Sequence, residues 1–243
     1  MVPGGAGARG GVARGRIDDV LVLGVDTATA AVTAVLAEVD ADGVRELASA
    51  VTVDGRAHGE RLAPSVAEVL TRAGRTVGEL SAVVAGTGPG PFTGLRVGLV
   101  TATAMAQALG VPTYGVCSLD ALGAAAGPGR VLVATDARRR EVYWARYVDG
   151  VRTDGPAVAK PADVHVDAER AVGDGAGKYA EVLGVRIVPE PRYPVGAVLV
   201  GLAAERILAG APGEVLEPRY LRRPDVTPAA PAATRPAAAG TPR

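Results

Sequence analysis

Three consecutive strand-like runs constrain the fold of this chain more than any other feature: Val20–Asp26 (VLVLGVD), Ala31–Val39 and Val44–Val53. The last two are divided by Asp40-Ala41-Asp42-Gly43, a strong turn signal, so the simplest pairing is an antiparallel meander. From His58 the period changes. Leu62, Val66, Val69 and Leu70 share one face of a helix expected over 58–73, and Gly74 stops it. A buried strand at 82–85, a glycine-rich turn, a helix running to Leu109 and stopped by Gly110, and a strand over 112–116 follow. The predicted order is β-β-β-α-β-α-β. Residues 130–135 (RVLVAT) and 141–148 (EVYWARYV) read as a second hairpin, followed by a Gly/Pro-rich stretch, a short strand at 171–173 and a helix over 197–209.

That first-half order is the order of the α/β actin/Hsp70/sugar-kinase (ASKHA) fold, in which two ribonuclease H-like lobes face each other. Fold alone assigns no activity. A hydrophobic content of 48% excludes a wholly disordered chain, but its two ends differ from the rest. Residues 1–17 are rich in Gly and Arg without the apolar run of a secretory signal, and residues 224–243 form a Pro/Ala tail. Both are expected to be disordered, leaving one lobe over 18–117 and a second over 118–223 whose last helix can return to the first. Because the first clear strand begins near Val20, a start site downstream of Met1 is expected, which N-terminal mass spectrometry of native protein would check.

Twenty-six basic residues balance 26 acidic ones, so no global charge steers the chain to nucleic acid or an anionic membrane. Cys117 is the only cysteine, which forbids an internal disulfide and points to the cytoplasm. No uninterrupted apolar stretch is long enough to span a bilayer.

Candidate chemistry gathers at two turns. Asp26, Thr27 and Thr29 stand where strand one turns into strand two; they suit either a nucleotide-phosphate site with a magnesium-organising carboxylate or a plain Asx/Thr turn. The second turn, GTGPGPFTGLRVGL (86–99), feeds a helix that Thr93 can cap. No lysine occurs before Lys160, so a phosphate loop of the nucleotide-hydrolase kind is excluded. Along that helix Gly94, Gly98, Ala102 and Ala106 recur every four residues as a smooth stripe beside Leu95, Leu99 and Met105. With Arg96 and Gln107 almost its only polar residues besides threonines, the helix is expected to be covered on more than one face.

Arg138-Arg139-Arg140 is the one dense basic run, readable as an RNA contact or as a solvated hairpin tip, with Tyr143 and Trp144 following in strand context. His58 and His165 are the only histidines, and neither has a second histidine at helical spacing. No Gly-x-Ser-x-Gly elbow is present, so neither a catalytic residue nor a metal set is expected.

LGVDTAT (23–29), AGTGPGPFTGLRVGL (85–99), DARRREVYWARY (136–147) and EPRYLR (217–222), in that order, resemble the TsaB (YeaZ) family across 20–223. The resemblance implies a non-catalytic subunit of the bacterial assembly that makes N6-threonylcarbamoyladenosine beside the tRNA anticodon. It implies pairing with the paralogous transferase TsaD, or with a second copy when TsaD is absent, and assembly with the ATP-binding TsaE. ATP and metal then belong to partner subunits, a separate synthase supplies the threonylcarbamoyl-adenylate, and tRNA is met indirectly. In TsaD a His-x-x-x-His pair holds the metal; Ser118 and Leu122 stand at the matching positions here. The family pairs through the helices matching 58–73 and 93–109, which puts Leu62, Val66, Gly94, Arg96, Gly98, Leu99, Ala102 and Met105 in the expected interface. Pro91 stands where the family pattern leads one to expect serine, which weakens phosphate binding at that loop. The competing readings are a stand-alone ATP-dependent ASKHA enzyme and an RNA-binding module built on 138–146.

Overall fold

The meander forms as the alternation predicts. In a computed structural model that describes residues 19–222, β1 (Val20–Asp26) pairs antiparallel with β2 (Ala31–Asp40), which pairs antiparallel with β3 (Gly43–Val53). The Gly/Arg-rich segment 1–17 and the tail 224–243 lie outside the described residues. On the other side of β1, β4 (Ala82–Gly86) and β5 (Thr113–Val116) add in parallel, giving the order β3-β2-β1-β4-β5. Every residue of β4 is buried, as a parallel strand covered on both faces requires.

Helices α1 (His58–Ala73) and α2 (Phe92–Leu109) cover one face of this sheet. Leu62, Val66 and Val69 from α1 and Leu95, Leu99 and Ala102 from α2 join Leu23 and Val25 of β1 in one core. Each such fully buried leucine contributes about 1.5–3 kcal/mol over its exposed state. Both helices stop where the sequence says, at Gly74 and Gly110, which take left-handed φ of 64° and 70°. The start of α2 differs: it begins at Phe92 with Pro91 in the cap position, so Thr93 lies inside the first turn and caps nothing.

After α3 (Ser118–Ala125), β6 (Arg130–Asp136), β7 (Val142–Val148), β8 (Val151–Ala159) and β9 (Arg170–Val172) form a second sheet in the order β8-β7-β6-β9. β8 occupies the stretch that reads as a Gly/Pro-rich loop. It is an edge strand, where Pro156 costs no ladder bond to a further neighbour. Short helices α4 (Asp174–Lys178) and α5 (Ala180–Leu183) follow β9. The helix expected over 197–209 is two, α6 (Gly196–Gly201) and α7 (Ala204–Leu208), divided at Leu202 and Ala203. Helix α6 packs against the second face of the first sheet, where Leu199 and Val200 meet Val22, Val35 and Val84.

From 211 to 222 the chain has no regular secondary structure and is tied down by hydrogen bonds of backbone and side chains. The Glu214 carboxylate accepts from the Gly115 N–H (3.0 Å), and the Arg219 N–H donates to the Thr87 carbonyl (2.8 Å). Arg222 donates to the Ala137 carbonyl (3.0 Å) and pairs with Glu141, so the segment bridges both sheets.

Candidate functional site

Asp26, Thr27 and Thr29 are brought together, with Thr29 at the edge of a small cavity of about 170 Å³ shared with Ala30, Pro91, Asp136, Arg138 and Asp174. Asp26 is 1% exposed. One carboxylate oxygen accepts the Ala28 N–H (2.9 Å) and the other the Ser118 hydroxyl (2.5 Å), while the Gly88 N–H donates to that same hydroxyl (3.1 Å). Burial raises the Asp26 pKa from 3.8 to about 6, against the opposing pull of Ser118, the Ala28 N–H and nearby His58. A Cβ on Gly86 would stand 1.7 Å from the Asp26 carboxylate, so the end of β4 admits only glycine there. Thr27 donates to the Gly94 carbonyl (2.7 Å) and accepts from the Gly98 N–H (3.0 Å). Thr29 accepts from the Ala31 N–H (3.2 Å), and its carbonyl takes a hydrogen bond from His58 Nε2 (2.7 Å). The Asp26 carboxylate, the Thr27 hydroxyl and the Thr29 carbonyl are thus engaged by α3, α2 and α1 respectively.

The metal positions follow the same pattern. Ser118 and Leu122 are fully buried one turn apart on α3, the serine hydroxyl is committed to Asp26, and leucine has no donor atom. These residues do not fit a metal ion. Among the described residues no group of three or more His, Cys, Asp or Glu is placed to hold one.

The small-residue stripe on α2 also points inward. Gly94, Gly98, Ala102 and Ala106 face the core, and a Cβ on Gly98 would lie 2.4 Å from the Thr27 hydroxyl. Leu62, Val66, Leu99 and Ala102 are each at least nine-tenths buried within the chain. Six of the eight expected interface residues, Leu62, Val66, Gly94, Gly98, Leu99 and Ala102, therefore serve the interior: close helix–sheet approach needs small residues as much as a partner interface does. Arg96 remains exposed and Met105 is partly buried. The outer face of α2 carries Phe92, Arg96 and Val100, the last 65% exposed, with a shallow groove of about 240 Å³ along Leu99, Val100, Thr103, Ala104 and Gln107. Arg96 lies 4.0 Å over the Phe92 ring and donates to the Tyr220 hydroxyl (2.8 Å), and Tyr220 stacks on Phe92 at 5.0 Å. Sequence periodicity pointed to the stripe; the aromatic cluster depends on a contact across more than a hundred residues that no local pattern reveals.

Arg138, Arg139 and Arg140 form the exposed tip between β6 and β7, all three with positive φ. Arg138 donates to the Gly55 carbonyl (3.2 Å), which ties the tip to the first sheet's side of the molecule. Tyr143 is 4% exposed and donates to the Gly90 carbonyl, while Trp144 packs against the opposite face of the sheet, so the two rings form no common open platform. Cys117 is a buried core residue whose thiol pKa is pushed up by burial.

The two sheets and their helices define an ASKHA-class chain of ribonuclease H-like lobes, and the comparisons with known proteins narrow this further. Residues 51–203 match the family model described as TsaD: tRNA N6-adenosine threonylcarbamoyltransferase. An uncharacterized protein of Mycobacterium leprae is 50% identical over 208 residues, covering 86% of this chain and 56% of the relative, so the chain spans little more than half of that protein's length. The tRNA threonylcarbamoyladenosine biosynthesis protein TsaB of Escherichia coli is 35% identical over 164 residues, 63% of this chain and 68% of the relative. The solved structure of YeaZ from Pseudomonas aeruginosa superposes with a TM-score of 0.68 at 29% identity, covering 83% of this chain and all of that one. The chain belongs to the TsaB/YeaZ family.

Proposed function

We propose that this chain is a subunit of the bacterial machinery that forms N6-threonylcarbamoyladenosine next to the tRNA anticodon, and that it acts by docking to and supporting TsaD rather than by transferring the group itself. The observation that carries this reading is the pairing of an internally satisfied turn at Asp26 and Ser118 with an unpartnered apolar face on α2. A site whose carboxylate, hydroxyls and backbone donors are consumed by its own helices offers little to a reacting substrate. An exposed strip of Phe92, Val100 and Ala104 beside Arg96 offers a partner helix a surface of the apolar-core, polar-rim kind.

On this reading TsaE completes the assembly, a second copy of the chain occupies the α2 face when TsaD is absent, and ATP and metal belong to the partners. tRNA is reached through the complex, with no membrane attachment, in the cytoplasm. Among the described residues no helix is long and apolar enough to cross a membrane.

Reconstituted transfer to tRNA, with TsaD, TsaE and the synthase, tests the proposal with and without this chain. Loss of transfer on omitting it is expected; activity of the isolated chain, or full transfer without it, overturns the reading. Val100→Glu places a charge on the exposed face and should abolish co-purification with TsaD while leaving the thermal midpoint within about 2 °C, since the position is solvent-exposed. Gly98→Arg is unsuited to the same purpose, because its side chain would be driven into Thr27.

A further inference from the structure

Two passages of the chain between the sheets are solid, and a further one is not. β5 runs directly into α3, which packs on β6, β7 and β8, and the segment after Val188 runs into α6, which packs on β1 and β2. α3 and α6 also pack on each other. Leu119 and Leu122 of the one and Leu199 and Val200 of the other are fully buried, so these two passages form a single close-packed hinge. Away from the hinge lies the cleft between the sheets, a cavity of about 710 Å³ with Ala30 on one side and Asp136, Asp174 and Lys178 on the other.

The further passage is the segment 211–222. It starts along β5, where the Glu214 N–H donates to the Thr113 carbonyl (2.7 Å) and the Thr113 hydroxyl to the Glu214 carbonyl (2.7 Å). Its last four residues then join the first sheet to the second. Arg219 holds Thr87 after β4 through its N–H (2.8 Å) and its side chain (3.3 Å), and Tyr220 stacks on Phe92 of α2. Leu221 packs into the core of the second sheet, and Arg222 grips Ala137 and Glu141, the residues that close the tip after Asp136. None of the four is buried, in contrast to the hinge. Arg138 to the Gly55 carbonyl (3.2 Å) and Tyr143 to the Gly90 carbonyl (3.4 Å) add single hydrogen bonds at or beyond the usual length. Exposed polar contacts exchange readily with water, so this side can let go in a local step that leaves the hinge intact.

We propose that residues 219–222 are a latch that holds the second sheet closed on the first about the hinge of α3 and α6, and that their release opens the cleft. The latch belongs to the chain alone and does not depend on what covers α2.

Pulsed electron paramagnetic resonance on the full chain tests this. Spin labels at Ala67→Cys on α1 and Glu181→Cys on α5, both exposed positions, report the separation of the two sheets, while Cys117 is buried and escapes labelling. Arg222→Ala is expected to add a population at longer distance, and Tyr220→Ala combined with Arg222→Ala to enlarge it. Glu141→Ala removes the same ion pair from the second sheet and should give the same longer distance. Arg72→Ala, which breaks surface contacts to Glu68 and Ser49 on the first sheet's side alone, should leave the distances unchanged. If the double variant unfolds, the single variants Arg222→Ala and Glu141→Ala decide the matter. An unchanged distance in the latch variants, or equal lengthening by Arg72→Ala, overturns the proposal.

Discussion

The hairpins that open the two sheets begin alike and end differently. β1 finishes on Asp26 and turns into β2; β6 finishes on Asp136 and turns into β7; and the strands lie in the same relative order in both sheets, the second lacking a fifth strand. At the first turn α2, an eighteen-residue helix, descends until the Gly98 N–H bonds Thr27, and the Asp26 carboxylate is buried. At the second, the nearest cover is α4, five residues long, and Asp136 stays on the rim of a cavity beside Lys178. The same strand plan thus yields a turn whose carboxylate is sealed in or one whose carboxylate stays on a cavity rim, according to how closely a helix can approach.

The sharpest way to break the seal is Gly86→Val. Its Cβ would overlap the Asp26 carboxylate and crowd the Ser118 hydroxyl, so neither can stay in place. A loss of more than about 4 kcal/mol is expected in denaturant unfolding, as for other severe overpacking that also breaks a buried polar network.

Next in size is the pH response of Asp26. Because its folded pKa, about 6, lies above the unfolded 3.8, the folded chain holds the proton more tightly. Its contribution to stability is full below 3.8 and is lost as pH rises through about 6, a total of about 3 kcal/mol. Asp26→Asn should remove this component, so the variant gains on the parent chain as pH climbs from 4 to 7, as urea titrations at a series of pH values would register. An unchanged difference across that range counts against a sealed, desolvated carboxylate.

Smaller still is a matched pair of threonines. Thr27→Val strands the Gly98 N–H and should cost about 1–3 kcal/mol. Thr135, on β6, is also buried, but its hydroxyl has no hydrogen-bond partner. Thr135→Val should therefore be neutral or stabilise by up to about 1 kcal/mol in the same unfolding assay. Equal losses at both would erase the contrast between the two turns.

Most of the first sheet was legible because its signals are local. Leu62, Val66, Val69 and Leu70 bury the helical face that their spacing predicts, and Gly74 and Gly110 end their helices. β8 was missed because Gly155 and Pro156 read as loop residues, and only an edge position makes them acceptable in a strand. α3 was missed because Ser118–Ala125 is short and rich in small residues, with too little periodic bulk to register as a helix.

The sequence by itself determined the element order of the first sheet and its two helices, the family and the residues that matter at the first turn, since motif chemistry and hydrophobic period are written within stretches of seven to twenty residues. Only the tertiary structure decided what those residues do. Whether Thr27 faces a ligand or the Gly98 amide, whether a glycine stripe meets a partner or its own sheet, and whether Asp136 borders a cavity all depend on packing distances between segments far apart in the chain. A surface formed by such segments has no local pattern to announce it.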